Sequence, residues 1–422
     1  MPLLQGEETP RWKQRLQNVQ TFVVENYLPI AFAVALTFAL AYPVPGRFLV
    51  NIVVANNVHI IQEVNMAIVF FISGLVLNTS ELRKAMGRDS WPAVAFGFAM
   101  ILLVTPALGF AMREIPLTPP AFSVGLTIFC LVPTTLGIGV ALVRSCRGNE
   151  AIALLLTVGT NMVGVLTMPL YLKLLFLNFD TGGLRLNVNI PDLLLKLTLT
   201  ILVPSVLGKL LRELSRPVES FAKQYRTPLS ITSTTNLACI VWQTLSGARD
   251  LLFQQRASMI VSVIVLSAAV HVFYLVVNHF AVKFLFHPPL PEHVAVVVMA
   301  SQKSAPVAVT LISYVTSLPA QQGLLAIPSV VGQLSQIFIG AALAKYIAPI
   351  VDRAVKAAKA SSAAKAAAVD VAKDSELGAA TTATDTAADP TAAAAAVVPE
   401  VKCTFAEASA DLIWVMLGLS YS

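Results

Sequence analysis

Two residues of opposed habit stand three apart in the stretch MASQKSAPVAVTL, residues 299–311: Lys303 and Pro306. The run around them, 294–315, otherwise reads as a membrane-spanning helix. A lysine at the centre of a bilayer is unfavourable by roughly 2.5–3.5 kcal/mol on insertion scales. Lys303 lies about ten residues, or roughly 15 Å, from either end of its span, too far for its side chain to reach an interface. Two readings remain. The ammonium faces a solute-accessible cavity, or it pairs with a buried acid. The acids within or at span edges are Glu63, Glu114, Glu150 and Glu292, none of them plainly central.

A second stretch has the same grammar. LVPTTLGIG, residues 131–139, interrupts an apolar run with Pro133, Thr134, Thr135, Gly137 and Gly139. Proline removes a backbone hydrogen bond and clashes with the preceding turn. In lipid the freed carbonyls are tolerated only where protein or water receives them. Two breaks at one depth satisfy each other and leave half-helix ends pointing at one place. The N-terminal ends attract anions and the C-terminal ends cations. The expected site for a small charged solute is thus lined by Thr134 and Thr135 from one break, and by Gln302, Lys303 and Ser304 from the other.

Between them, LLLTVGTNMVGVLTMPL places Thr157, Thr160 and Asn161 at i, i+3 and i+4, on one helical face. Ligand contact is expected of Asn161 and, less strongly, of Thr160. Such side chains also join membrane helices to one another, and both roles stay open. Gln333, Gln336, Gln243 and Asn65 read as helix–helix contacts.

The elements that must position these residues follow from composition. The 422-residue chain is 56% hydrophobic and 12% charged, with mean hydropathy +0.74. Soluble domains carry about 25% charged residues. Apolar runs near 27–44, 59–77, 91–112, 120–143, 150–176, 191–212, 228–247, 257–286, 293–315 and 325–350 predict ten spans, an all-α polytopic membrane protein. Arg83, Arg144, Arg147, Lys209, Arg212, Lys223 and Arg226 fall in loops on the side of the N-terminal Arg11, Lys13 and Arg15. That bias places both termini on a cytoplasm-like face, so the pI of 9.1 reports topology and not nucleic-acid binding.

The domain expectation is an N-terminal segment, 1–26, a transporter domain, 27–351, and an Ala-rich disordered tail, 352–422. Residues 1–26 carry neither a secretory signal nor an Arg/Ser-rich transit pattern. That leaves the plasma membrane or an organelle, the plastid envelope included. The four cysteines form no C-x-x-C pair, and His271, His279 and His287 have no intramembrane carboxylate at one-turn spacing. With no metal set, no resident cofactor and no nucleophile–base set, an enzyme is disfavoured.

The two interrupted runs are fourth among the first five spans and fourth among the second five. Five being odd, the halves are expected to be inverted in the membrane, the pattern of a transporter with its site at the midplane.

FISGLVLNTSELRKAM (71–86), the run LVPTTLGIGVALVRSCRGNEAIALLLTVGTNMVGVLTMPL (131–170), and MASQKSAPVAV followed by LLAIPSVVGQLSQIFIG resemble the bile acid:sodium symporter family. The likeness is to the branch holding the seventh member of solute carrier family ten and the plant plastid cotransporter-like fourth member, and covers about residues 28–350. It implies ten helices in two inverted repeats of five. Helices four and nine would be broken and crossing in a core domain, which rocks against a panel of helices one, two, six and seven. Sodium-coupled relatives resemble one another in an acid one turn before the span-nine cluster; here that region is VVVMAS, with no acid at 297–300. They also share a Ser-Asn or Ser-Ser pair after the span-four break, where this chain has Gly137-Ile138. Lys303 falls where the resemblance implies a neutral amide, and its ammonium could stand in for a bound cation. The expected function is symporter-like transport of a small organic anion, with sodium or protons open as the coupling ion. The rival is a non-transporting membrane regulator or receptor on the same fold.

Overall fold

The computed structural model describes residues 19–24, 27–54, 58–80, 83, 91–135, 137–177, 179, 181–184, 186, 188–316 and 319–379. The first apolar run forms α1 (Tyr27–Ala41) and, after Pro43, α2 (Val44–Val50), bent 98° from it. A ladder of β1 (Val53–Val54) with β2 (Val58–His59) follows, the one departure from the all-α expectation among the described residues. Next come α3 (Ile60–Val76), α4 (Trp91–Arg113), α5 (Pro120–Leu131), α6 (Ile138–Ser145) and α7 (Glu150–Phe176). The second half holds α8 (Ile190–Leu214), the short α9 (Arg216–Gln224), α10 (Arg226–Gln254) and α11 (Ala257–Leu285). It ends with α12 (Leu290–Ser301), α13 (Ala305–Val315) and α14 (Pro319–Ala379).

Six spans are long and apolar enough to cross a membrane, α12 with α13 counting as one, and seven with the bent α1–α2 pair; α3 and α5 are apolar but shorter. The protein is therefore a polytopic helical membrane protein. α10 has 29 residues, roughly 43 Å at 1.5 Å per residue, and its first half, RTPLSITSTTN, is polar. Its two ends carry ion pairs that place the loops. Arg226 lies 3.8 Å from Glu150 at one end, and Asp250 pairs with Arg47 at 2.8 Å near the other.

The helices pack in two groups. α3 lies along α8 and α10, and α10 along α1; α5, α11, α12 and α13 gather on α7 and α14, with α10 touching α14. A Cβ on Gly208 would collide with the Phe71 carbonyl, so α3 and α8 meet backbone to backbone. In the second group every residue from Ala121 to Thr135 and from His293 to Thr316 is buried. These two stretches have no lipid face. That is the environment a helix break at membrane depth requires.

α4 and α8 each contain a π-helical turn, Met100–Val104 and Thr198–Leu202, each shortly before a proline, Pro106 and Pro204. Such turns rotate a helix locally and gather at functional positions. Here each delivers a threonine, Thr105 or Thr200, to a buried polar cluster.

α14 continues past residue 352 as helix to Ala379, because Ala and Lys are strong helix formers and no proline occurs between Pro349 and that point. The remainder of the expected tail, 380–422, lies outside the described residues.

Candidate functional site

After α5 the chain runs extended from Val132, and Gly137, at φ +58°, turns it into α6. After α12 it runs extended through Gln302 and Ser304 into α13. The two breaks lie against each other. Ser304 N–H donates to the Pro133 carbonyl at 3.2 Å, and the Thr134 hydroxyl donates to the Met299 carbonyl at 2.6 Å. Met299 lies in the last turn of α12, where carbonyls lack an intrahelical donor. Thr134 supplies it from the other break.

The prolines act differently from each other. Pro133 lies inside its break, and a Cβ on Gly164 of α7 would collide with its ring, so the glycine makes room for it. Pro306 is the second residue of α13, where a helix has no use for an N–H.

Lys303 is 1% exposed, and no carboxylate meets it among the described residues. Its Nζ donates to the Val132 carbonyl at 2.9 Å and to Thr105 Oγ1 at 2.8 Å, and stands 5.8 Å from the centre of the Tyr274 ring. The buried ion pair is thereby replaced by a different solution. The ammonium sits at the C-terminal, electronegative end of the half-helix α5, on a carbonyl, a hydroxyl and an aromatic face. Thr105 passes its own proton to the Met100 carbonyl at 2.9 Å, which the π turn of α4 leaves within reach.

Gln333 and Gln336 make the helix–helix contacts expected of them, and the partners are the two breaks. Gln336 Oε1 accepts the Lys303 N–H at 3.0 Å, and Gln333 Oε1 accepts the Ala305 N–H at 2.7 Å. The Gln333 amide then donates to Thr135 Oγ1 at 3.1 Å, so one side chain of α14 touches both breaks. Their i, i+3 spacing was a usable signal in the sequence, since it puts two amides on one face. What they serve could not be read there.

Of the α7 face, Asn161 alone crosses to a break: its amide donates to the Thr134 carbonyl at 3.0 Å and to the Thr157 carbonyl at 2.7 Å. The Thr160 hydroxyl donates to the Leu156 carbonyl at 2.6 Å within its own helix, and Thr157 does the same to Ala153. On the far side, His271 Nδ1 lies 3.0 Å from the Ser301 carbonyl, and the Asn278 amide donates to Ser301 Oγ at 3.2 Å. Asn161 Oδ1, Gln302 Oε1, Ser304 Oγ, His271 Nε2 and Asn278 Oδ1 are buried without a hydrogen-bond partner. Buried polar atoms are normally satisfied.

The arrangement brings opposed half-helix ends together beside a buried lysine; the described residues show no grouping of His, Cys, Asp and Glu fit for a metal ion. The model of the SBF-like CPA transporter family matches residues 26–349. The probable sodium/metabolite cotransporter BASS4, chloroplastic, of Arabidopsis thaliana is 29% identical over 333 residues, covering 78% of this chain and 73% of that protein. The protein of the same name from Oryza sativa subsp. indica is 31% identical over 327 residues, 75% of this chain and 74% of its own. A broken-helix membrane protein matched over most of its length in this way belongs to the SBF-like CPA transporter family, a family of secondary transporters and not of enzymes.

Proposed function

We propose that this chain moves a small organic anion by alternating access around the two breaks, in a plastid membrane like that named for its relatives. The observation that carries the reading is Lys303: a buried ammonium with no acid partner among the described residues, set on the Val132 carbonyl among unpartnered polar atoms. It supplies a positive charge that an anion can meet without a co-bound cation. The relatives are named for sodium. In this chain we assign the cation's part at the breaks to the Lys303 ammonium, so sodium is not required there.

Adding α3, the polar α10 and the broken pair α5–α6 to the seven apolar spans gives ten, in two sets of five with a broken helix fourth in each. We take these sets as inverted repeats. The α1, α3, α8 and α10 group is then the panel against which the broken helices move.

Two measurements test the reading. Cysteines placed singly at positions 47 and 249 are expected to react from one side of sealed vesicles, and at position 218 from the other. Labelling of all three from one side overturns the ten-span arrangement. Reconstituted protein, offered a panel of radiolabelled mono- and dicarboxylates, is expected to give saturable uptake of at least one of them with or without a sodium gradient. Uptake of none, or uptake strictly dependent on sodium, overturns the proposal.

A further inference from the structure

Glu63 stands in the first turn of α3, where the panel meets the broken span. The hydroxyl of Tyr314, next to the last residue of α13, is hydrogen-bonded to Glu63 Oε2. Thr200, carried into place by the π turn of α8, lies 3.0 Å from the same oxygen, 2.8 Å from the Tyr314 hydroxyl and 2.8 Å from the Lys196 carbonyl. Glu63 Oε1 is buried with no partner, although the residue as a whole is only half-buried. The charged and titratable groups facing the carboxyl are Tyr314 from α13, and Lys196 and Asp192 from α8. The last two pair at 2.9 Å, and the Lys196 ammonium lies 5.4 Å from the Tyr314 ring centre. On the α10 side the neighbouring Gln62 amide is taken by Thr244 at 2.9 Å.

Counting protons makes the cluster informative. Four oxygen–oxygen contacts join Glu63, Tyr314, Thr200 and the Lys196 carbonyl. The two hydroxyls bring one proton each, and an ionised carboxylate brings none. With two protons, two contacts press lone pair against lone pair. A third proton, on Glu63, reduces these from two to one in a relay: Glu63 donates to Tyr314, Tyr314 to Thr200, and Thr200 to the Lys196 carbonyl, which leaves the 3.0 Å contact between Glu63 and Thr200 as the single one without a proton.

The geometry points to Glu63 as a proton-binding site that couples proton movement to the transport cycle proposed above, on which the coupling half of this inference rests. A proton delivered by hydronium at the Arg47–Asp250 face forms an O–H bond on the carboxylate as one O–H bond of the hydronium breaks and leaves water. Glu63 and Thr200 belong to the panel and Tyr314 to the broken span, so motion between the two groups dismantles the relay. The two states then bind the proton unequally, which is the condition for coupling.

The test uses the purified full-length chain. Infrared difference spectra across a pH titration are expected to show a carboxylic-acid band that titrates in the wild type and is absent from Glu63→Gln. Tyr314→Phe, which keeps the ring, should displace its midpoint. In vesicles, uptake driven by a pH gradient should fall by about 5-fold or more in Glu63→Gln, the lower end of ordinary coupling energies, while exchange of labelled for unlabelled solute continues. If Glu63→Gln proves unstable, the Tyr314→Phe band and its gradient response decide. A titrating Glu63 band in a protein without uptake upholds the proton site and removes the transport reading instead. A wild type with no titrating band, or a Glu63→Gln protein with an unaltered one, overturns the proton site. Undiminished gradient-driven uptake in Glu63→Gln overturns the coupling.

Discussion

Lys303→Gln protein is expected to fold, to melt at the wild-type temperature or higher, and to lose transport. The two halves of that result have separate causes. A buried ion carries a desolvation penalty of several kcal/mol when no counter-charge meets it, and Lys303 is met by the Val132 carbonyl and Thr105 Oγ1. Replacing the ammonium by an amide removes the penalty. Against this, an acceptor left without its donor costs about 1–3 kcal/mol. The amide can still donate to one of the two, so the balance is near zero or favourable. Transport responds in the other direction. A hydrogen bond to a charged group contributes about 1.5–3 kcal/mol, so anion affinity should drop about ten- to a hundred-fold. Uptake by reconstituted protein and thermal melting in detergent check both halves. Undiminished uptake would remove Lys303 from the site. A stability loss of about 3–5 kcal/mol would identify an acid partner after all.

The Gln333→Leu/Gln336→Leu protein should show the opposite pattern in stability. Leucine keeps nearly the volume of glutamine and removes the acceptors that hold the Ala305 and Lys303 N–H groups. Each N–H left buried and unpaired costs about 1–3 kcal/mol, or about 2–6 together. The same change frees Thr135 Oγ1 from the Gln333 amide. Denaturant unfolding is expected to show a loss in that range, and each single variant about half of it. A double variant as stable as the wild type would mean that the breaks satisfy their backbone by some other route. The contrast is diagnostic. Removing the charge at position 303 relieves the protein, and removing the neutral amides beside it does not.

The polar cluster around Glu63 was the part of the structure least legible in the sequence. Glu63 reads in sequence as an edge acid, and Tyr314 and Thr200 read as ordinary residues of apolar spans. They are separated by 251 and 137 positions from the carboxylate they contact. No local pattern connects residues that far apart.

The amino-acid sequence by itself determined what is local. Apolar runs of sufficient length make helices for a bilayer, and α7 begins and ends where its run does, at Glu150 and Phe176. Proline with clustered hydroxyls and glycines sets the break after α5, and polar residues with a proline at the next helix's start set the one after α12. Each acts on its own turn of backbone, so each is readable in place. Tertiary structure alone decided the partners. Lys303 rests on Thr105, 198 positions away, because the π turn of α4 sets that hydroxyl beside the break. Gln333 and Gln336 serve the breaks because α14 packs along α5 and α13, which presents that one face to the freed N–H groups. A buried polar group is satisfied by whatever the packing of distant helices brings within 3 Å or so of it, and that distance is a property of the fold.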